Sequence, residues 1–317
     1  MHIGFDHADL GELTRVWNNF YPAKFRIDEA MFRQNTVESP VFDWGASSVY
    51  RLGEAVLGFA AIKRASSPTL FKGDDPDKSH LSAIAFTEAE VGVDLLAYAK
   101  GVIRDRGSDK LVFGQDVSHF FPGCPVECTS LRDFLTVEGF EEKGEVLDVE
   151  NDLATYEGKP GCLERLTGDV TVRPVAMAEK HVLEQFLSKE FPGRWTYDVM
   201  KKVEIEGRTD NVYALFVGDD MEGFAFTQDW THKKPINGCV WHLDLGDRWG
   251  GLGPIGMAAS MRGKGLGDSL LAGALMGLKK KGVRRMIIDW TGLVRYYGGH
   301  GFTVNRRYNG FELGFEG

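Results

Sequence analysis

Apolar and polar positions follow two rhythms along the C-terminal half of the chain. Val170-Thr-Val-Arg-Pro174 alternates with period two and stops at a proline, as a short strand does. Between Glu179 and Lys189, the apolar residues Val182, Leu183, Phe186 and Leu187 recur at helical spacing. Asn211-Val-Tyr-Ala-Leu-Phe-Val217 and Gly223-Phe-Ala-Phe-Thr227 read as strands on either side of the turn signal Gly218-Asp-Asp. Ile255-Gly-Met-Ala-Ala259 reads as a short strand feeding a glycine-rich loop. Leu270, Leu271, Leu275 and Leu278 share one face and predict a helix over 268–281. Lys279-Lys-Lys281 sets positive charge at the negative end of that helix, and Gly282 ends it. A buried strand at Arg285-Met-Ile-Ile-Asp289, a helix starting over 293–297 and a strand at Gly301-Phe-Thr-Val304 follow. The sum is a mixed α/β sheet with helices on both faces.

The same pattern is written twice. Tyr21-Pro-Ala-Lys-Phe-Arg-Ile-Asp28 lines up with Phe191-Pro-Gly-Arg-Trp-Thr-Tyr-Asp198, and Leu57-Gly-Phe-Ala60 with Glu222-Gly-Phe-Ala225. Val93-Asp-Leu-Leu96 resembles Gly267-Asp-Ser-Leu-Leu271, and Phe134-Leu-Thr-Val-Glu-Gly-Phe140 echoes Tyr296-Tyr-Gly-Gly-His-Gly-Phe302. Four matches in one order predict two homologous domains, 1–155 and 165–317, joined near Tyr156-Glu-Gly-Lys-Pro-Gly161. A length of 317 residues, more than one core usually supports, agrees.

Composition narrows the function classes. A formal charge of -9 argues against a nucleic-acid partner, which needs a basic face, and suits a small cationic substrate. No stretch approaches the roughly 18 apolar residues of a membrane span. The opening Met1-His-Ile-Gly-Phe-Asp-His is neither basic nor followed by an apolar run, so a cytoplasmic enzyme, monomer or homodimer, is expected. Cys124, Cys128, Cys162 and Cys239 are too scattered for a disulfide framework or a zinc ligand set, so four free thiols and no metal are expected.

The chemistry concentrates at Met261-Arg-Gly-Lys-Gly-Leu-Gly-Asp268. Alternating glycines let backbone N–H groups turn toward one point, and the helix start adds its free amides and positive dipole, together a cradle for phosphate. The spacing fits neither the nucleotide P-loop nor the dinucleotide fingerprint Gly-x-Gly-x-x-Gly. It does resemble the Gln/Arg-x-x-Gly-x-Gly/Ala signature of the GCN5-related N-acetyltransferase superfamily, with Arg262, Gly265 and Gly267 in the defining places. Tyr296-Tyr297-Gly-Gly-His-Gly301-Phe302 resembles the second motif of that family, aromatic-Tyr-x-x-x-Gly-Phe, in the expected order. The family often carries an Asn seven residues before that Tyr; here the position is Trp290.

The resemblance implies tandem GNAT-type domains, each a mixed, mostly antiparallel sheet flanked by helices. It implies acetyl-CoA as cosubstrate, its pyrophosphate on the amides of Gly263, Lys264, Gly265, Leu266, Gly267 and Asp268 beside Arg262. The pantetheine arm would pair with the backbone of Ile255, Gly256 and Met257. It further implies direct attack by a neutral primary amine on the thioester in a ternary complex. Tyr297 takes the place of the family's acid, since a phenol with pKa near about 10 can protonate a departing thiolate. The backbone N–H of Met257 is the expected oxyanion donor. For the general base, Asp244, His242 and Asp289 are candidates; Asp244 is taken as the base, with Asp289 ranked last because strand-end Asp commonly bonds nearby backbone.

The first copy lacks this equipment. Its loop Thr87-Glu-Ala-Glu-Val-Gly92 keeps one glycine and adds two carboxylates, and Leu135 stands where Tyr297 does in the second. The segment His119-Phe-Phe-Pro-Gly-Cys-Pro125 is expected to be a loop that walls the substrate cleft or packs between domains. Aromatic and acidic groups for the acceptor are Trp195, Asp229, Trp230, Trp241, His242 and Asp289. The Phe-Pro-Gly segments resemble those of tandem acetyltransferases acting on glucosamine-type amino sugars, making such a sugar the expected small-molecule acceptor. A peptide or protein N-acetyltransferase and a non-catalytic acyl-CoA-binding module are the alternatives.

Overall fold

The computed structural model describes residues 1–64 and 78–315. They fall into two compact units, one taking the described residues from Met1 to Leu147 together with those from Arg306 onward, the other taking Asp148–Asn305. The division differs from the sequence expectation of 1–155 and 165–317. The boundary falls inside two strands, so residues 148–155 group with the second unit and the chain's end groups with the first. Local similarity between copies does not register which neighbour a terminal strand pairs with.

The first unit runs β1 (His2–Ile3), α1 (Leu10–Phe20), α2 (Glu29–Asn35), β2 (Ser48–Leu52), β3 (Ala55–Arg64), β4 (Lys78–Phe86), α3 (Ala89–Asp105), β5 (Lys110–Phe113), β6 (Cys124–Pro125), α4 (Thr129–Val137) and β7 (Glu141–Asp152). Its sheet pairs β1 to β4 antiparallel, with β4–β5 parallel. The far end of the last strand, β13 (Thr303–Gly314), then pairs antiparallel with β5 through Glu312↔Val112 and Leu313↔Leu111. Phe120 and Phe121 lie fully inside this unit, Phe121 stacked on Trp17 with centroids 5.4 Å apart. The 119–125 segment is therefore core of its own unit. A buried ion pair, Lys63 Nζ to Asp116 Oδ2 at 2.6 Å, lies beneath it.

The second unit repeats the order: β8 (Val170–Pro174), α5 (Lys180–Glu190), α6 (Arg194–Glu206), β9 (Val212–Val217), β10 (Asp220–Asp229), α7 (His242–Leu245), β11 (Gly250–Met257), α8 (Leu266–Lys281), β12 (Arg285–Thr291) and α9 (Val294–Gly298). The four sequence matches fall on corresponding elements of the two units: the turn after α1 and after α5, β3 and β10, α3 and α8, α4 and α9. The strand order is β8-β9-β10-β11-β12-β7, antiparallel to β11 and parallel between β11 and β12.

α8 is the helix on which the site stands. Leu270, Leu271, Ala274, Leu275 and Leu278 are buried with Leu215, Ala225, Leu252 and Ile288 of the sheet. Two glycines on the same face allow a close approach: a Cβ on Gly273 would stand 2.6 Å from Val172, and one on Gly277 2.1 Å from the Tyr213 hydroxyl. The opposite face of the sheet is covered by Leu183, Phe186 and Leu187 of α5 and Val199 and Val203 of α6. α6 and the short turn over Asn237–Trp241 are elements the hydrophobic pattern does not announce.

Candidate active site

The sheet opens at β11. Its register with β10 moves from Ala225↔Ile255 to Thr227↔Leu252, so β11 carries one residue more, a bulge at Gly253-Pro254. Gly253 has φ +150°, a conformation that favours glycine, and Pro254 has no amide to offer a neighbouring strand. On its other edge β11 pairs with β12 only at Gly250↔Met286 and Gly251↔Ile287. Both strands continue, to Met257 and Thr291, so they part after those two rungs and leave a wedge.

Backbone direction around the wedge follows from one hydrogen bond. The Ala258 N–H donates to Glu222 O on the β10 side at 2.8 Å. Successive residues of a strand present their amides to opposite edges, so the polar groups of Met257 and Ile255 face the wedge. Two contacts agree: Met257 O accepts from Arg262 Nε at 3.2 Å, and Gly253 O from Asn237 Nδ2 at 3.1 Å. Sequence reasoning passed over Asn237. Its φ of +56° and the tight seat of Gly238, whose Cβ would stand 3.0 Å from Ile287, hold this turn against the mouth of the wedge.

The glycine loop lies at the end of β11. Gly263 (φ +77°) and Gly265 (φ +76°) both adopt the left-handed region, and residues 262–265 are exposed. α8 follows with no side-chain cap, so the amides of its first turn have no acceptor within the helix. A Cβ on Gly263 would meet nothing within 4 Å. Two left-handed glycines, an uncapped helix start and open space beside Gly263 fit a diphosphate, and Arg262 and Lys264 add positive charge. The residues present therefore suit coenzyme A.

Tyr297 sits on α9, 4% exposed, its ring against Tyr296 and Phe302. Burial, and next the charge of Asp289 on β12, push its phenol up to about 12. Among the described residues its hydroxyl has no hydrogen-bond partner. Trp290, the next residue after Asp289, has φ +46° and donates its N–H to the buried Asp148 carboxylate at 3.0 Å. Phe191 presses on Gly256, where a Cβ would stand 2.4 Å from the ring. Trp195 lies beside Phe191 (5.4 Å) and is 42% exposed, and the Arg194 guanidinium sits 5.3 Å from the Trp290 ring centroid.

Around the first turn of α8 runs a polar network that spacing alone did not reveal. Asp268 accepts from Lys159 Nζ at 2.9 Å and lies 3.0 Å from His300 Nε2, while His300 Nδ1 meets the Tyr156 hydroxyl at 2.8 Å. Burial would raise the Asp268 carboxyl, but the bonds from Lys159 and His300 outweigh it and hold the group below its usual range. Cys162 lies near enough to form a potential cation-binding trio with Asp268 and His300, their ligand atoms all within 4.8 Å of one another. All four cysteines are buried thiols.

The structure thus gathers Ile255, Gly256, Met257, the loop from Arg262 to Asp268, Asp289, Tyr297 and Trp195 at one end of the sheet. The remaining sequence candidates lie elsewhere. Asp229 ends β10 opposite Gly250, with Trp230 next in the chain, six residues or about 20 Å along the strand from the Gly223↔Met257 pair near the loop. Asp229 is buried; burial would raise its carboxyl, but bonds from His232 and Thr231 outweigh that and hold it well below the usual range. Trp230 stacks under Arg248, 4.6 Å from its ring centroid. Asp244 pairs with Arg285 at 3.0 Å, at the start of β12 and four residues, about 13 Å, before Asp289. Trp241 is buried in the core, and the His242 ring lies 6.3 Å from that of Trp249.

No protein-family model matches the chain, and no curated protein matches it in sequence. Solved structures do match. One is a GCN5-related glucosamine N-acetyltransferase region of a fungal multi-domain GH3 beta-N-acetylglucosaminidase, with a TM-score of 0.84 at 20% identity. It covers 99% of this chain, which spans 38% of that protein's length. A GCN5-related N-acetyltransferase from Sphaerobacter thermophilus matches with TM-score 0.70 and 14% identity, over 99% of this chain and 95% of that one. A tandem GNAT protein from the clavulanic acid biosynthesis pathway matches with TM-score 0.67 and 12% identity, over 99% and 98%. Among the described residues no helix is long and apolar enough to cross a membrane. The chain has the mixed α/β fold of the GCN5-related N-acetyltransferases.

Proposed function

We propose that the second unit transfers an acetyl group from acetyl-CoA to the primary amine of a small molecule, with an amino sugar of the glucosamine type as acceptor. The observation that carries this is the wedge between β11 and β12, with the glycine loop at its end and the Tyr297 hydroxyl and Asp289 on the β12 side. The fungal relative's glucosamine N-acetyltransferase description and the Trp195 and Trp290 faces near the wedge support the sugar.

Bound there, acetyl-CoA supplies an activated acyl carbon. Amides of 263–268 hold the diphosphate, and the edge of β11 at Ile255 and Met257 orients the arm by backbone pairing. The Met257 N–H stabilises the carbonyl oxygen as it gains charge. Asp289 replaces Asp244 as the proposed base, because it shares the wedge with Tyr297. It takes a proton from the nitrogen of the attacking neutral amine, directly or through water, as the N–C bond forms. Tyr297 donates its proton to the departing sulfur as the C–S bond breaks, and burial keeps that phenol protonated at neutral pH.

The test is thiol release from acetyl-CoA over a panel of amino sugars, polyamines, aminoglycosides and peptides. Release with glucosamine-type sugars above the other classes is expected. Release with peptides alone shifts the assignment to protein acetylation, and none with any amine refutes catalysis.

A further inference from the structure

The segment that precedes β8 is strapped across α8 by bonds at both ends of the helix. Lys279 Nζ donates to Tyr156 O at 2.6 Å, and Ser269 Oγ donates to Cys162 O at 2.7 Å. Lys159 pairs with Asp268 at 2.9 Å, and Arg165 Nη1 donates to Gly265 O at 3.1 Å. The last contact puts a guanidinium on the phosphate loop itself. A Cβ on Gly265 would stand 2.9 Å from Arg165 Nη1 and 3.2 Å from its Cζ, so the side chain lies flat on that glycine. Arg165 is otherwise exposed.

Charge makes the placement meaningful in an acidic chain of net charge -9. The acid in the first turn of α8, Asp268, is already engaged by Lys159 and His300, so it opposes an incoming anion less than a bare carboxylate would. Arg165 then joins Arg262 and Lys264 around the loop. A guanidinium presents five donors in a planar fork that matches phosphate geometry, and the bond to Gly265 O uses one.

We propose that Arg165, delivered by the strap and not by the loop motif, is a ligand for a phosphate of coenzyme A. This rests on the acyl-CoA reading above. Coenzyme A carries phosphate both in its diphosphate and at the ribose 3′ position, and the chemistry that recognises them is the same.

The experiment is calorimetric titration of the full chain, wild type, Arg165→Ala and Arg165→Lys, with coenzyme A and with 3′-dephospho-coenzyme A at low ionic strength. Arg165→Ala should bind coenzyme A at least about tenfold more weakly, and Arg165→Lys should recover part of the loss, since the charge returns without the fork. A loss for coenzyme A alone assigns Arg165 to the 3′-phosphate; an equal loss for both ligands assigns it to the diphosphate. Binding by Arg165→Ala within twofold of wild type overturns the proposal. Failure of the wild type to bind either ligand instead overturns the acyl-CoA reading.

Discussion

The Trp290 amide donates a 3.0 Å hydrogen bond to the carboxylate of Asp148, and at that point β12 bends into the left-handed region at φ +46°. Asp148 is fully buried, and a large β-branch-free aromatic does not adopt that conformation without a partner to hold it. The bend follows Asp289 directly, so the bond fixes how that carboxylate meets the wedge. Asp148→Ala should lower kcat by about tenfold or more and destabilise the unit by about 1–3 kcal/mol, having orphaned a part-buried amide. Asp148→Asn keeps an acceptor oxygen and should retain more of both. Steady-state kinetics and thermal melts on the two variants check this; equal losses contradict it.

Tyr297→Phe removes the proposed acid while keeping the ring packed against Phe302. The expected result is a kcat lower by about 100-fold with coenzyme A affinity unchanged. Because burial lifts the phenol to about 12, it stays protonated through the neutral range. The pH–rate profile of the wild type should therefore show no basic limb from this group below about pH 11. A basic limb near pH 10 that disappears in Tyr297→Phe would falsify the burial argument.

Gly263 and Gly265 share a left-handed conformation but not their surroundings. Gly263→Ala should suffer only the backbone strain of about 1–2 kcal/mol. Gly265→Ala adds a clash with Arg165 and should weaken coenzyme A binding more than Gly263→Ala does. Titration of both variants ranks them, and the reverse order would show that Arg165 does not lie on the loop.

Much of this arrangement was legible in the residues. The alternation at 211–227, the leucine face at 270–278 and the glycines of 263–267 are local signals, and each lands on the element it predicts. α6 was missed because its apolar residues are interrupted by Lys201, Lys202, Glu204 and Glu206, with Lys202 itself buried on Glu206. The site divided along the same line. Tyr297 and the loop belong to contiguous motifs, whereas Asp244 and Asp229 looked chemically apt but spend their charge on Arg285 and on Thr231 and His232. Asn237, Asp148 and Arg165 reach the loop and the wedge only through tertiary contacts, which no spacing in one sequence encodes.

In the first unit, Lys63 and Asp116 form an ion pair with side chains 0% and 1% exposed. Burial would raise the Asp116 carboxyl, but the charge of Lys63, then that of His80, outweighs it and holds the group below its usual value. A depressed carboxylate contributes stability above its unfolded pKa, about 4, and loses it as pH falls through the folded value. The melting temperature should therefore fall as pH drops below about 4. Asp116→Asn should cost about 3–5 kcal/mol at neutral pH and flatten that acid dependence. Unchanged acid dependence in the variant would assign it to other carboxylates.

Backbone N–H groups of residues 263–268 are the proposed grip on the cofactor's diphosphate. Hydrogen–deuterium exchange measured with and without acetyl-CoA tests this most directly, since residues 263–265 are exposed and the first turn of α8 has no side-chain cap, so fast exchange is expected in the free protein. Strong slowing confined to peptides covering 263–268 and the 255–257 edge of β11 is the predicted result. No slowing there, or slowing over 87–92 of the first unit instead, contradicts the account.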